Sequence, residues 1–155
     1  MWRKVSRAAL VAAFYVAVTG VLAPISFGPV QLRLSEGLVL LPVLWPETIP
    51  GLWAGCMLAN FLFGGLGPVD IFGGSAVTGL AAYLTWRLRR SVWLAGLPPV
   101  VLNGLIVGAY LSVLLDVPYL PTALSVGAGE LAAVYGVGVP LVLALRPVLR
   151  TWPAR

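Results

Sequence analysis

Glu130 stands inside an apolar stretch, residues 122–146, whose length and composition predict a membrane-spanning helix. A carboxylate near the bilayer centre costs about 2.5–3.5 kcal/mol on insertion scales. A Leu or Val contributes only about 0.3–0.6 kcal/mol in the opposite direction. One Glu therefore cancels the insertion energy of about six apolar neighbours. Such a residue indicates a site that binds, relays or gates something.

The sequence around Glu130 allows two interpretations of its role. Gly127 and Gly129 are small neighbours that leave space beside the helix, either for a ligand or for another helix. In the first interpretation Glu130 contacts a ligand. In the second it pairs with Asn103 or Arg33 and helps to hold helices together.

Two amides in apolar stretches are further candidates. Asn60 and Asn103 could each hydrogen-bond across helices, for about 0.6 kcal/mol on average, or contact a ligand. An amide offers both donors and acceptors, which suits the edge of a heterocycle. Both interpretations stay open for both residues.

Four more charged residues lie in or next to predicted loops. Arg33 and Glu36 are three apart and form either a surface pair of little energetic value or part of a lid over a ligand. Asp70 follows a glycine-rich loop and is either a ligand group or the N-cap of the next helix. Asp116, before Val117 and Pro118, is more typical of a turn.

The composition of this chain indicates an integral membrane protein. The 155 residues are 60% hydrophobic and 10% charged, with a mean hydropathy of +0.99, whereas a soluble domain has about 25% charged residues. Long apolar runs favour helices over a barrel. Six spans of about 20 residues use about 120 residues, so residues 1–155 are predicted to form a single transmembrane domain.

The same composition argues against several functional classes. The net charge of +5 comes from clusters that flank apolar runs, which is topology information rather than a nucleic-acid surface. With no His and one cysteine, Cys56, a metal or haem site is not expected, and no cofactor is predicted. No nucleophile–base set indicates an enzyme.

The basic clusters determine the predicted topology, because an even number of spans must separate two clusters that lie on the same side of the membrane. We predict an all-α membrane protein with six transmembrane helices, in which the stretch 37–65 is broken at Pro46–Pro50 into two short spans. The N- and C-termini are then cytoplasmic, and every basic residue except Arg33 lies on the cytoplasmic side. The predicted spans are 7–23, two short spans within 37–65, 69–86, 92–115 and 122–145. The first span resembles a signal peptide, but Pro24 follows its weak cleavage site, so we expect the span to be retained.

This topology ranks the acids by depth. Glu36, Asp70 and Asp116 are predicted at or near the outer surface, and Glu130 about 12 Å inside it. Glu47 is the one acid of the inner half. The pattern predicts a binding pocket that opens outward rather than a polar path through both halves.

The first span carries small residues at four-residue spacing. Ala9, Ala13 and Ala17 form a face that another helix can approach closely. That helix could belong to this chain or to a separate membrane subunit.

An ordered set of short segments resembles the substrate-binding S components of energy-coupling-factor (ECF) transporters, and among them the QueT family of queuosine-precursor transporters. The resemblance covers nearly the whole chain. Its segments are residues 31–38, 41–42, 46–52, 55–60, 65–70, 98–103 and 126–130.

The resemblance implies an S-component-like bundle in a prokaryotic plasma membrane, which joins a membrane coupling subunit and two ATPase subunits. The alanine face would dock the coupling subunit. The implied ligand is a 7-deazaguanine such as preQ1, preQ0 or queuine, whose adjacent N–H donors one carboxylate can accept bidentately. Glu130 is the candidate for that edge, with Asn60 and Asn103 completing it and Glu36 or Asp70 available for a ligand amine. The alternatives are an S component for another vitamin-like molecule and an autonomous secondary transporter.

Overall fold

The computed structural model describes residues 2–27 and 32–151, with residues 149–151 described by their backbone alone. The described residues form helices and turns, and no strand occurs among them. We label the long helices α1 (Trp2–Val21), α2 (49–64), α3 (69–87), α4 (Val92–Leu115) and α5 (119–151). A 3₁₀ helix, Leu34–Val43, lies between α1 and α2, and the short helical turns are Ala23–Ser26 and Pro46–Thr48.

Four of these long segments include a π-helical turn. The π turns are Asn60–Gly64 at the end of α2, Val69–Gly74 at the start of α3, Asn103–Val107 in α4 and Val134–Gly138 in α5.

Among the described residues, three helices are long and apolar enough to cross a membrane. They are Trp2–Val21, Val92–Leu115 and Tyr119–Val148. The all-α prediction is therefore confirmed, and these helices give the chain the character of a membrane protein. The predicted number of six crossings remains a prediction, because the other helical segments are shorter or less apolar.

The 3₁₀ helix occupies the centre of the bundle. Every residue from Ser35 to Pro42 is buried, as expected for a segment that is apolar on all sides. At about 2.0 Å per residue, ten 3₁₀ residues extend roughly 20 Å, against about 15 Å for an α-helix. The 3₁₀ geometry therefore makes the short segment before the Pro46–Pro50 break longer than an α-helix of the same number of residues would be.

Contacts between neighbouring segments fix their relative directions at the start of the chain. A Cβ added at Gly51 would meet the carbonyl oxygen of Ala8, and one at Gly55 would lie 3.0 Å from Cα of Ala12, so α1 and α2 run parallel. The 3₁₀ helix between them runs the opposite way, because its start meets the end of α1 through the bond between Thr19 Oγ1 and Ser35 Oγ, 2.7 Å.

The remaining segments continue this alternation. Helix α3 runs antiparallel to α2, α4 antiparallel to α3, and α5 antiparallel to α4. The pairs that show it are Cys56–Thr78 and Asn60–Asp70, then Thr85–Ala95 and Asp70–Tyr110, then Gly104–Gly127 and Gly108–Ala123. Residues 45–48, 87–91 and the beginning of α1 consequently share one end of the bundle, and the loops after α1, α2 and α4 share the other.

Candidate ligand-binding site

A cluster of buried polar side chains lies among the described helices, and each long helix and the 3₁₀ helix contributes to it. The buried members are Tyr15, Thr19, Ser35, Glu36, Asn60, Asp70, Thr78, Asn103 and Glu130. Buried polar groups normally have hydrogen-bond partners. The atoms of this cluster fall into two groups, those that have a hydrogen-bond partner and those that have none.

Glu36 has one oxygen held and one oxygen free. The hydroxyl of Tyr15, on α1, donates to Glu36 Oε1, and Thr78 Oγ1, on α3, donates to the same oxygen at 3.1 Å. Glu36 Oε2 is buried without a hydrogen-bond partner. The 3₁₀ helix positions this carboxylate between α1 and α3.

Asp70 and Asn60 form a second half-paired group. Tyr110 OH donates to Asp70 Oδ1 at 2.7 Å, and Asn60 Nδ2 donates to the backbone carbonyl of Asp70 at 2.8 Å. Asp70 Oδ2 and Asn60 Oδ1 have no partner. Both residues lie in π turns, the wide turns that often accompany functional sites.

Glu130 is 6% exposed, and its Oε2 is also buried without a partner. It interacts electrostatically with Glu36 and Arg33. No hydrogen bond joins Glu130 to Asn103, whose Nδ2 donates to the carbonyl of Pro99 in its own helix at 3.0 Å. Of the two pairings that the sequence left open, the one with Asn103 is not formed.

Arg33 lies near the acids without forming an ion pair with them. Its guanidinium stacks over the ring of Phe27, 4.9 Å from the centroid, and its Nη1 lies 3.8 Å from Cys56 Sγ. It interacts electrostatically with Glu36 and Asp70. In the part of the chain that the structure describes, the ion pair within 4 Å is Arg7–Glu47, at 2.8 Å.

The structure corrects two sequence-based assignments at Glu36 and Asp70. Each is 1% exposed and therefore buried among the helices. Glu36 and Arg33 therefore do not form a surface pair. Asp70 does not cap α3 either, because the helix begins after Pro68 with no side-chain cap. Asp116 does occupy a turn, with φ of 52°.

Three hydroxyl residues that donate to the buried acids escaped sequence analysis, namely Tyr15, Thr78 and Tyr110. A signal for the first was available, because Tyr15 and Thr19 are the polar residues of an otherwise apolar stretch, 8–25. Thr78 and Tyr110 have no such signal, because hydroxyls at a helix surface are common in membrane proteins.

A cavity of about 560 Å³ lies at the end of the bundle that carries the α4–α5 loop. This volume is within the usual range for small-molecule sites. Its wall is mostly apolar and includes Phe27, Gly64, Leu111, Pro118 and Val126. None of the six predicted ligand residues lines it, but Phe27 contacts Arg33 and Gly64 adjoins Asp70. The cavity and the polar cluster are thus neighbours.

The family model for the QueT transporter matches residues 5–147. The chain belongs to the QueT transporter family. The match includes all six candidate ligand residues, and it confirms the resemblance drawn from the short segments. Neither the search of curated proteins nor the search of solved structures gives a match.

The first helix of this QueT-family chain presents two alanine faces. Ala8 and Ala12 pack against Gly51 and Gly55 of α2. Ala9, Ala13 and Ala17, the predicted docking residues, are exposed in the single chain. The packing within the chain therefore uses the alanine register next to the predicted one.

Proposed function

We propose that this membrane protein is the substrate-binding S component of an ECF-type importer and captures a 7-deazaguanine queuosine precursor from outside the cell. The proposal joins membership in a transporter family to the pattern of unpaired atoms in the buried cluster. It is a binding role, with ATP hydrolysis supplied by partner subunits.

The observation that carries the proposal is a set of unpaired buried acceptors. Glu36 Oε2, Asn60 Oδ1, Asp70 Oδ2 and Glu130 Oε2 all lack a hydrogen-bond donor among the described residues. An unsatisfied buried polar group costs about 1–3 kcal/mol, and more when it is charged. A ligand rich in N–H donors would remove this cost, and that is the reason to expect one here.

A 7-deazaguanine matches this requirement. Its guanine edge carries adjacent N–H donors that one carboxylate can accept in a bidentate manner. We assign that edge to Glu130, the acid with no tyrosine partner, with Asn60 and Asn103 beside it. Glu36, Asp70 and Arg33 complete the proposed ligand set.

The proposed orientation places the cavity on the outer side of a multi-pass cell-membrane protein, with both termini in the cytoplasm. The loops at the cavity end have few basic residues, whereas Arg87, Arg89 and Arg90 follow α3 at the opposite end. In the complete importer we expect a membrane coupling subunit and two ATPase subunits, with Ala9, Ala13 and Ala17 facing the coupling subunit.

Ligand identification on the purified protein tests the proposal. We expect mass spectrometry of the protein extracted from the membrane to detect a 7-deazaguanine, and equilibrium binding of preQ1, preQ0 or queuine to be saturable. Binding of an unrelated vitamin, and of no deazaguanine, would contradict the substrate assignment. Uptake in cells that lack every coupling subunit would instead favour an autonomous transporter.

A further inference from the structure

The carboxylate of Asp70 and the amide of Asn60, two residues joined by a hydrogen bond, each leave one acceptor unpaired. Asp70 Oδ1 is occupied by Tyr110, and Asn60 Nδ2 is occupied by the Asp70 carbonyl. What remains is Asp70 Oδ2 and Asn60 Oδ1, on side chains that are 1% and 2% exposed. Neither remaining atom can donate, because an ionised carboxylate and an amide oxygen are acceptors only.

The free oxygen of Asp70 faces the cavity wall at a glycine. A Cβ added at Gly64 would lie 3.0 Å from Asp70 Oδ2, and Gly64 itself lines the cavity of about 560 Å³. Because Gly64 has no side chain, only its backbone stands between the cavity and this oxygen at that point. On the other side, a Cβ at Gly74 would lie 3.0 Å from Asp70 Oδ1.

The charges around this pair favour a cation. The buried cluster has three acids, Glu36, Asp70 and Glu130, and the base near it, Arg33, is half-buried. Arg33 forms no ion pair with Asp70, and its Nη1 is directed to Cys56 Sγ. Charges separated from water interact strongly, so an unpaired carboxylate in this position has a large preference for a positively charged donor.

We propose that Asp70 and Asn60 form a subsite, next to Gly64, for a primary ammonium group of the ligand. This inference rests on the proposed function and deepens it. The importer would select among 7-deazaguanines by charge, and a ring bearing an aminomethyl group would bind more tightly than the same ring bearing a neutral nitrile. Glu130 would bind the edge of the ring, and Asp70 would bind the substituent.

The test compares two ligands, aminomethyl and nitrile 7-deazaguanine, on the purified protein. Wild type is expected to bind the aminomethyl compound more tightly. Asp70→Asn keeps the size of the side chain and removes its charge, and we expect a roughly ten- to hundredfold loss of affinity for the aminomethyl compound, since charge-assisted hydrogen bonds are the strong ones. The nitrile compound should lose less than threefold.

A second pair of variants tests the position of the subsite. Gly64→Ala places a methyl group against Asp70 Oδ2, and we expect it to weaken binding of the aminomethyl compound. Gly73→Ala is the matched control, because a Cβ there meets no atom within 4 Å. Thermal unfolding of each variant checks that it is folded.

The outcomes separate this inference from the proposed function. Equal affinity of wild type for both ligands, or equal losses for both in Asp70→Asn, would overturn the subsite and leave the importer proposal standing. If wild type binds no deazaguanine, the proposed function falls, and benzylamine and benzyl alcohol become the probes. Stabilisation of wild type but not Asp70→Asn by benzylamine alone would support the subsite, and its absence would overturn it.

Discussion

Two of the buried acids are each held by a tyrosine through one oxygen. Tyr15 binds Glu36 Oε1, and Tyr110 binds Asp70 Oδ1. The second oxygen of each carboxylate stays free. A carboxylate that is already fixed in one orientation loses little further freedom when a ligand binds, which lowers the entropic cost of binding.

Loss of the Tyr15 hydroxyl should destabilise the protein. We expect Tyr15→Phe to lower the free energy of unfolding by about 1.5–3 kcal/mol, the usual worth of a hydrogen bond to a charged group. Denaturant or thermal unfolding in detergent measures this. The matched control is Tyr83→Phe, whose hydroxyl accepts from Arg87 at an exposed site. Equal effects of the two changes on the free energy of unfolding would show that the hydrogen bond to Glu36 stabilises the protein no more than the exposed one does.

Replacement of Glu130 tests the assignment of the ring edge. Glu130→Gln keeps the volume and removes one acceptor and the charge, so we expect deazaguanine affinity to fall roughly ten- to hundredfold. Folding should be unchanged, because no described residue donates to Glu130 Oε2. Equilibrium binding measures the effect, and Glu47→Gln, at the Arg7 ion pair, is the control. Unchanged affinity in Glu130→Gln would make Glu130 a structural residue.

The sequence predicted which residues would be unusual better than it predicted where they lie. Glu130 was identified from the cost of a carboxylate in lipid alone. The surface pair of Glu36 with Arg33 was wrong, because Glu36 lies in the first turn of a buried 3₁₀ helix. Burial depends on which helices surround a segment, and the partners of Glu36 lie 21 and 42 residues away in sequence.

At the scale of elements, the irregular helical turns are what bring the site together. Three of the four π turns contain a candidate ligand residue, namely Asn60, Asp70 or Asn103. The break at Pro46–Pro50 was visible in the sequence as a proline pair. The 3₁₀ helix before it was not, because a continuously apolar segment has the same pattern at any helical period.

Close contact between α4 and α5 depends on small residues. A Cβ at Gly108 would lie 2.7 Å from Cα of Ala123, a backbone atom that cannot move aside. We expect Gly108→Ala to lower the free energy of unfolding by about 1–3 kcal/mol, the usual cost of overpacking. Thermal unfolding in detergent is the measurement.

Gly136→Ala is the control for this packing, because a Cβ there meets no atom within 4 Å. Its stability should be unchanged or slightly higher, since Ala favours a helix over Gly. If Gly108→Ala proves as harmless as Gly136→Ala, the α4–α5 contact does not depend on the small residue.

At the scale of the whole molecule, the two ends of the bundle differ in chemistry. One end has the cavity and the loops at residues 64–68 and 115–118. The other has the Arg7–Glu47 ion pair and the basic turn after α3. Alternation of the segments puts the start of α1 and the end of α5 at this second end. A ligand entering the cavity would therefore approach from the end opposite the basic residues.

The exposed alanine face of α1 offers a test of the proposed assembly with a coupling subunit. Sequence alone left the docking register open, because Ala8 and Ala12 are also four residues apart. The packing assigns Ala8 and Ala12 to α2 and leaves Ala9, Ala13 and Ala17 exposed. Close helix approach in a membrane needs small side chains. A larger residue in the exposed register should therefore obstruct a partner helix without disturbing this chain.

We expect Ala13→Leu to abolish or strongly reduce co-purification with the coupling subunit. Ligand binding by the isolated chain should stay within about threefold of wild type, since surface changes seldom alter stability by more than about 0.5 kcal/mol. Ala132→Leu, the same change at an exposed alanine of α5, is the control and should assemble normally. Equal assembly of both variants would place the docking surface elsewhere. Loss of ligand binding in Ala13→Leu would mean that α1 reaches the site through Tyr15, which projects from the same helix two residues on.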